Sequence, residues 1–123
     1  MTKTYDVLVV EDDPLFLVAL ERGIKKLGYR VLQVVDNSED ALAALQSKTP
    51  DFILMDISIK GAMDGIELAK VIRRNHSIPI VFLSAHQDKA IYEEARKIQR
   101  ADYLIKPFDT ASLRRVIDRV LMV

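Results

Sequence analysis

Short runs of aliphatic and β-branched residues alternate along this chain with longer segments of helical period, and that rhythm constrains the fold more than any other feature. Strands separated by helices cannot close as tight hairpins. They pair in parallel, and the intervening helices cover both faces of the sheet. Five such units can be counted. VLVV (7–10) reads as the first strand, and EDDP follows it, with Asp13 placed to cap a helix whose first position is Pro14. Leu17, Leu20, Ile24 and Leu27 recur at roughly helical spacing, and Gly28 ends this helix. YRVLQVV (29–35) is the second strand. Asn37 or Ser38 opens a helix carrying Ala41, Leu42 and Leu45, after which Pro50 breaks the chain and FILM (52–55) forms the third strand, ending on Asp56. GIELAKVIRR (65–74) reads as the third helix, and Pro79 leads into the strand IVFL (80–83), with Ser84 at its end. A charged helix is predicted over 88–99, then a fifth strand, YLI (103–105), that ends at Lys106. The last helix, capped by Asp109, places Leu113, Val116, Ile117, Val120 and Leu121 on one face.

A chain of 123 residues that is 50% hydrophobic can bury one real core, and no linker, repeat or low-complexity stretch divides it, so residues 1–123 are expected to form a single domain. With no cysteine there is no disulfide framework, thiolate nucleophile or Cys-type zinc site. Eighteen basic residues balance 18 acidic ones, so no global field favours nucleic acid, an anionic membrane or an acidic substrate. Charge begins too early for a signal peptide and no apolar run reaches membrane-spanning length. The expectation is a cytoplasmic chain that recognises its partners locally.

Polar, reactive residues stand just beyond the carboxyl ends of strands one, three, four and five: Glu11 and Asp12, Asp56, Ser84, Lys106. In an open α/β sheet those ends share one edge, where ligand crevices form. The apolar run before Asp56 is then a buried strand, and Asp56 is where it emerges into a shared site. Three carboxylates converging there repel one another unless a cation sits between them. Oxygen-only donors call for a hard ion, and Mg²⁺ fits, because it keeps several waters and takes few protein ligands. An aspartate beside Mg²⁺ and a lysine can accept a phosphoryl group, with Ser84 donating a hydroxyl to the same oxygens. Singly, each residue has an ordinary role: an acidic first turn for Glu11, Asp12 and Asp13, a turn cap for Asp56, a backbone-bonded hydroxyl for Ser84, a solvated loop position for Lys106. Their conjunction at successive strand ends carries the functional reading. His76 and His86 have no cysteine or histidine partner at metal spacing, which argues against zinc.

VLVVEDDP, FILMDISIKGAMDGIELA, PIVFLSAH and YLIKPF, in this order and over essentially the whole chain, resemble the motifs of the receiver domain of two-component response regulators. The resemblance implies a doubly wound, flavodoxin-like α/β fold: a five-stranded parallel sheet of order 2-1-3-4-5 with five helices on its two faces. It implies Asp56 as phosphoacceptor, Glu11 and Asp12 as the acid pair holding Mg²⁺, and the backbone carbonyl of Ser58 as a further ligand. Ser84 becomes the switch hydroxyl, Lys106 the phosphate-binding lysine and Tyr103 the aromatic that turns with Ser84, while Ser58 and His86 flank the path of attacking water and tune the lifetime of the phosphoryl group. The implied phosphodonor is a sensor histidine kinase or a histidine phosphotransfer protein. The downstream protein target is unknown, and the surface of helix four, strand five and helix five changes for it. Direct nucleic-acid or membrane binding, an output domain, and enzymatic activity beyond self-phosphorylation and self-dephosphorylation are not expected of this chain.

Several positions depart from the family pattern. Ser84 stands where threonine is more usual, and without the methyl its rotamer is less restricted, which predicts a less sharply two-state switch. Lys60 replaces a frequent proline, Ala62 reads as one additional residue before MDG, and KIQRADY lacks the glycine that often ends helix four, leaving that turn to Gln99 or Arg100. A haloacid-dehalogenase type of hydrolase would resemble Asp-x-Asp at the nucleophile, whereas Ser58 stands two residues after Asp56, and no cap domain is encoded. A receiver reduced to an interaction module would carry a damaged site, and none of the five positions is damaged.

Overall fold

The computed structural model describes residues 3–85 and 87–122. Five strands, β1 (Asp6–Val10), β2 (Arg30–Val35), β3 (Phe52–Asp56), β4 (Ile80–Ser84) and β5 (Ala101–Ile105), alternate with helices α1 (Pro14–Lys26), α2 (Ser38–Ser47), α3 (Gly65–Asn75), α4 (Lys89–Arg96) and α5 (Thr110–Leu121). All strand pairs are parallel, in the order β2-β1-β3-β4-β5. The chain therefore winds outward from β1 in both directions, and α1 and α5 lie on one face with α2, α3 and α4 on the other.

Alternation along each central strand fills two cores. Leu8, Val10, Ile53, Met55, Ile80 and Phe82 face Ala41, Leu45, Leu68 and Ile72 of α2 and α3, together with Ala95 and Ile98. Val7, Val9, Phe52, Leu54, Val81 and Leu83 point the other way, onto Leu20, Ile24, Leu113, Val116 and Ile117 of α1 and α5. Strands β3 and β4 are buried at every residue, as strands covered on both faces must be. At about 1.5–3 kcal/mol for each fully buried aliphatic or phenyl side chain, these two layers supply the main drive to fold.

Five side-chain caps start the five helices: Asp13, Asn37, Asp64, Asp88 and Asp109. Asp64, to which the sequence pattern assigns no role, forms a reciprocal capping box with Glu67. The largest departures from the expected boundaries lie around α4. Helix α4 stops at Arg96 instead of 99, and β5 begins at Ala101, two residues before the predicted YLI. Lys97 caps α4, and the turn that follows closes at Arg100, whose left-handed φ of 54° directs the chain into β5. The Arg100 carbonyl then accepts from the Ile80 N–H (3.0 Å), fixing the register in which Ala101 and Asp102 pair with Ile80 and Val81.

Candidate functional site

Parallel pairing brings the carboxyl ends of β1, β3, β4 and β5 to one edge, and the hydrogen-bond ladder runs past them into the loops. The Glu11 N–H donates to the Val35 carbonyl (2.9 Å), Ile57 N–H to Leu83 (3.0 Å) and Lys106 N–H to Ser84 (2.7 Å). Each functional side chain is therefore held on backbone that is already bonded. Helix α3 begins unusually close to this edge, because Gly65 donates its N–H to the Ile57 carbonyl (2.8 Å). A Cβ at Gly65 would lie 2.8 Å from Ile57 Cα and collide with the Asp56 carbonyl oxygen, so only glycine permits this approach.

The side chains converge as their spacing predicts. Lys106 Nζ stands 3.0 and 3.2 Å from the two Glu11 oxygens and 3.3 Å from Asp56 Oδ2. Asp56 Oδ1 accepts from the Ser58 N–H (3.1 Å), and Glu11 Oε1 also accepts from Asp13 N–H (3.2 Å). Glu11, Asp12 and Asp56 each offer one oxygen, all within 4.8 Å of one another. The Glu11 side chain is wholly buried and Asp56 almost so, although Asp12 is partly open to solvent. Burial pushes the Glu11 carboxyl up to about 7, and the Asp56 charge adds to the effect against the opposing hydrogen bond from Lys106. Hard oxygen donors, desolvated and mutually repelling, fit a small divalent cation.

Ser84 is buried at the end of β4. It shares its strand face with Phe82, and Tyr103, whose register partner is Phe82, packs on the same core, so hydroxyl and phenol lie on the α4 side of the sheet. The Tyr103 ring meets Tyr92 of α4 edge-on, with centroids 5.3 Å apart. His86 lies outside the described residues. One contributor escaped the sequence reading. Phe16, on the first turn of α1, sets its ring 4.0 Å from Lys106 Nζ and is itself braced edge-on by Phe108. In the loop after β3, Lys60, already marked by the sequence as standing in place of proline, donates its backbone N–H to the Asp36 carbonyl (3.3 Å), a bond that proline could not make.

An open parallel sheet of this order, with acidic residues at the carboxyl ends of β1 and β3 and a lysine at that of β5, defines a receiver domain, the phosphoacceptor signalling module of two-component systems. The chain belongs to the response regulator receiver domain family, whose model matches residues 7–118. It is 37% identical over 116 residues to the DNA-binding transcriptional regulator NtrC of Salmonella typhimurium, covering 94% of this chain and 24% of NtrC. To the positive alginate biosynthesis regulatory protein of Pseudomonas aeruginosa it is 34% identical, over 93% of this chain and 46% of that protein. The chain thus spans only a quarter to a half of these relatives. Among solved structures, the receiver domain of a Pseudomonas aeruginosa sensor histidine kinase, described with a magnesium ion coordinated in its active site cleft, superposes with a TM-score of 0.85 at 30% identity, over 98% of this chain and all of that one (100%). Chemotaxis response regulator CheY4 of Vibrio cholerae does so with a TM-score of 0.85 at 25% identity, over 97% of this chain and 100% of its own. No helix among the described residues is long and apolar enough to cross a membrane.

Proposed function

We propose that Asp56 takes a phosphoryl group from a phosphohistidine of a sensor histidine kinase or a histidine phosphotransfer protein. The observation that carries this is the pairing of Asp56 with Lys106 inside the Glu11, Asp12 and Asp56 cluster. A carboxylate oxygen of Asp56 attacks phosphorus, the P–N bond of the donor breaks, and the imidazole leaves with the electron pair. Lys106 neutralises an equatorial oxygen, and Ser58 N–H holds the carboxylate rotamer. Glu11, Asp12, Asp56 and the Ser58 carbonyl would hold Mg²⁺, which supplies the remaining positive charge to the phosphoryl oxygens. Leu15 and Val18 of α1, 85% and 54% exposed, offer an approaching donor an apolar foothold on the helix that starts at the site.

Once modified, Asp56 carries added negative charge that draws the Ser84 hydroxyl, and Tyr103 turns with it, altering the surface of α4, β5 and α5 that a protein target reads. The shared strand face of Ser84 and Tyr103 supports this order of events. Residues 1–123 act as one receiver unit in the cytoplasm, without direct contact to nucleic acid and with no chemistry beyond gain and loss of their own phosphoryl group. Balanced charge supports the first restriction. Intact-mass measurement after incubation with acetyl phosphate and Mg²⁺ tests the central step: the parent gains one phosphoryl group and Asp56→Asn gains none. A variant that is still modified to the same extent refutes Asp56 as acceptor.

A further inference from the structure

The loop between β3 and α3 is fastened to the start of α2 by bonds that belong neither to the acidic cluster nor to the sheet. Lys60 and Asn37 form an isolated parallel bridge, with Lys60 N–H on the Asp36 carbonyl (3.3 Å) and Ser38 N–H on the Lys60 carbonyl (3.2 Å). Ser38 is completely buried, which is unusual for a serine in the first turn of a helix. Its hydroxyl accepts from Met63 N–H (3.3 Å) and donates to Glu39 Oε1 (2.6 Å), the same oxygen that accepts from Ala62 N–H (3.0 Å). These bonds also hold the Glu39 carboxyl below its ordinary range, with the Ser38 hydroxyl as the largest cause. Between them Gly61 runs at a φ of 103°, and a Cβ there would strike the Glu39 carboxylate.

An acidic residue in a first helical turn needs no partner beyond the helix dipole. Glu39 instead reaches across 23 positions of sequence to a loop amide, so the bond shapes the loop. That loop carries Ser58, whose N–H orients Asp56, and has no regular structure of its own from Ser58 to Asp64.

We propose that Ser38 and Glu39 are positioning residues for the metal site, holding the β3–α3 loop in the form that Mg²⁺ requires. Without them the loop must order when the ion binds, and the ordering cost falls on affinity. The inference rests on the reading of Glu11, Asp12, Asp56 and the Ser58 carbonyl as Mg²⁺ ligands.

Amide spectra of parent, Glu39→Ala, Glu39→Gln, Ser38→Ala and Gly61→Ala, titrated with MgCl₂ and paired with hydrogen exchange at Ala62 and Met63, test it. Glu39→Ala, Ser38→Ala and Gly61→Ala should lose protection at Ala62 or Met63 and bind Mg²⁺ about tenfold more weakly, the low end for partners that orient metal ligands. Glu39→Gln keeps an acceptor oxygen and loses the charge, so it should retain most of the parent affinity. Equal weakening in Glu39→Gln and Glu39→Ala would make the effect a matter of charge and overturn the clamp. Parent-like Mg²⁺ affinity in Glu39→Ala despite lost protection, or unchanged protection, overturns it as well. A parent that binds no Mg²⁺ near residues 11, 12 and 56 overturns the metal reading first and this inference with it.

Discussion

Replacing Lys106 with methionine tests the electrostatic account of the site in metal-free protein. The side chain is 13% exposed and spans Glu11, whose side chain is fully buried, and Asp56, at 9%. Removing one member of a buried ion pair and stranding the other costs about 3–5 kcal/mol. Methionine keeps a long apolar stem but loses the ammonium, and with it the contact over the Phe16 ring, so the loss measures mainly charge. It should also depend on pH. Glu11 has its folded pKa raised from 4.5 to about 7, so the fold binds its proton more tightly than the unfolded chain does. That contribution is fully present below the unfolded value and is lost as pH rises through the folded one. Lys106 is among the groups that lower the Glu11 value, so its removal extends the loss to higher pH. At pH 5 Glu11 is largely neutral with or without the lysine, and only the bond to Asp56 is missing. Urea unfolding followed by circular dichroism in EDTA should give a Lys106→Met deficit of about 3 kcal/mol at pH 8 and roughly half that at pH 5. Adding Glu11→Gln should recover much of the deficit at pH 8. A deficit under about 1 kcal/mol at pH 8, the scale of an exposed pair, or one independent of pH, refutes the reasoning.

Ser84→Ala should accept phosphate from acetyl phosphate as the parent does, but lose most of the amide-shift response over residues 84 to 110 to beryllofluoride and Mg²⁺; equal shifts in both proteins would break the link from Ser84 to Tyr103. Gly65→Ala forces the α3 terminus away from Asp56 and should destabilise by about 1–3 kcal/mol in urea, with weakened Mg²⁺ binding, whereas a neutral result would show that the close approach is dispensable. Changing Ser58 and His86 in turn should alter the decay rate of the aspartyl phosphate, measured by loss of the added mass, and unchanged rates in both would remove them from the lifetime mechanism.

The sheet was legible because both faces of each central strand are covered: FILM and IVFL are apolar throughout, and such runs in alternation with amphipathic segments allow few other architectures. The strand ends were legible for the same reason, since a carboxylate or lysine that closes a buried run can emerge only at the shared edge. The turn before β5 was placed at Gln99 or Arg100, and Arg100 takes it, but the end of α4 at Arg96 was not legible, because the residues after it carry no glycine or proline to mark a stop. Phe16 was not singled out, and nothing local marks it as the neighbour of Lys106, which is 90 positions away in sequence. Ser38 was read only as a possible helix start and Glu39 drew no reading, since an acid in a first helical turn is ordinary. What distinguishes them is contact with a loop 22 to 25 residues further on. The pattern did mark that loop, through Lys60 and Ala62, without supplying its conformation.

The same distinction separates residues that hold the site from those that use it. Core contacts, caps and the Ser38–Glu39 clamp all lower the energy of the fold, so their substitution should show as lost stability. Glu11 works in the opposite sense, since its buried charge is disfavoured and one lysine must serve two carboxylates. Selection for stability alone would place an amide or an apolar side chain there. On the proposed function its presence has a reason: the buried charge attracts a divalent cation, and through that cation the phosphoryl oxygens that the bare carboxylates would repel. Neutralising Glu11 or Asp12 should therefore raise or preserve the stability of the metal-free fold while lowering its affinity for Mg²⁺, a pairing of effects that no purely structural role for these carboxylates produces.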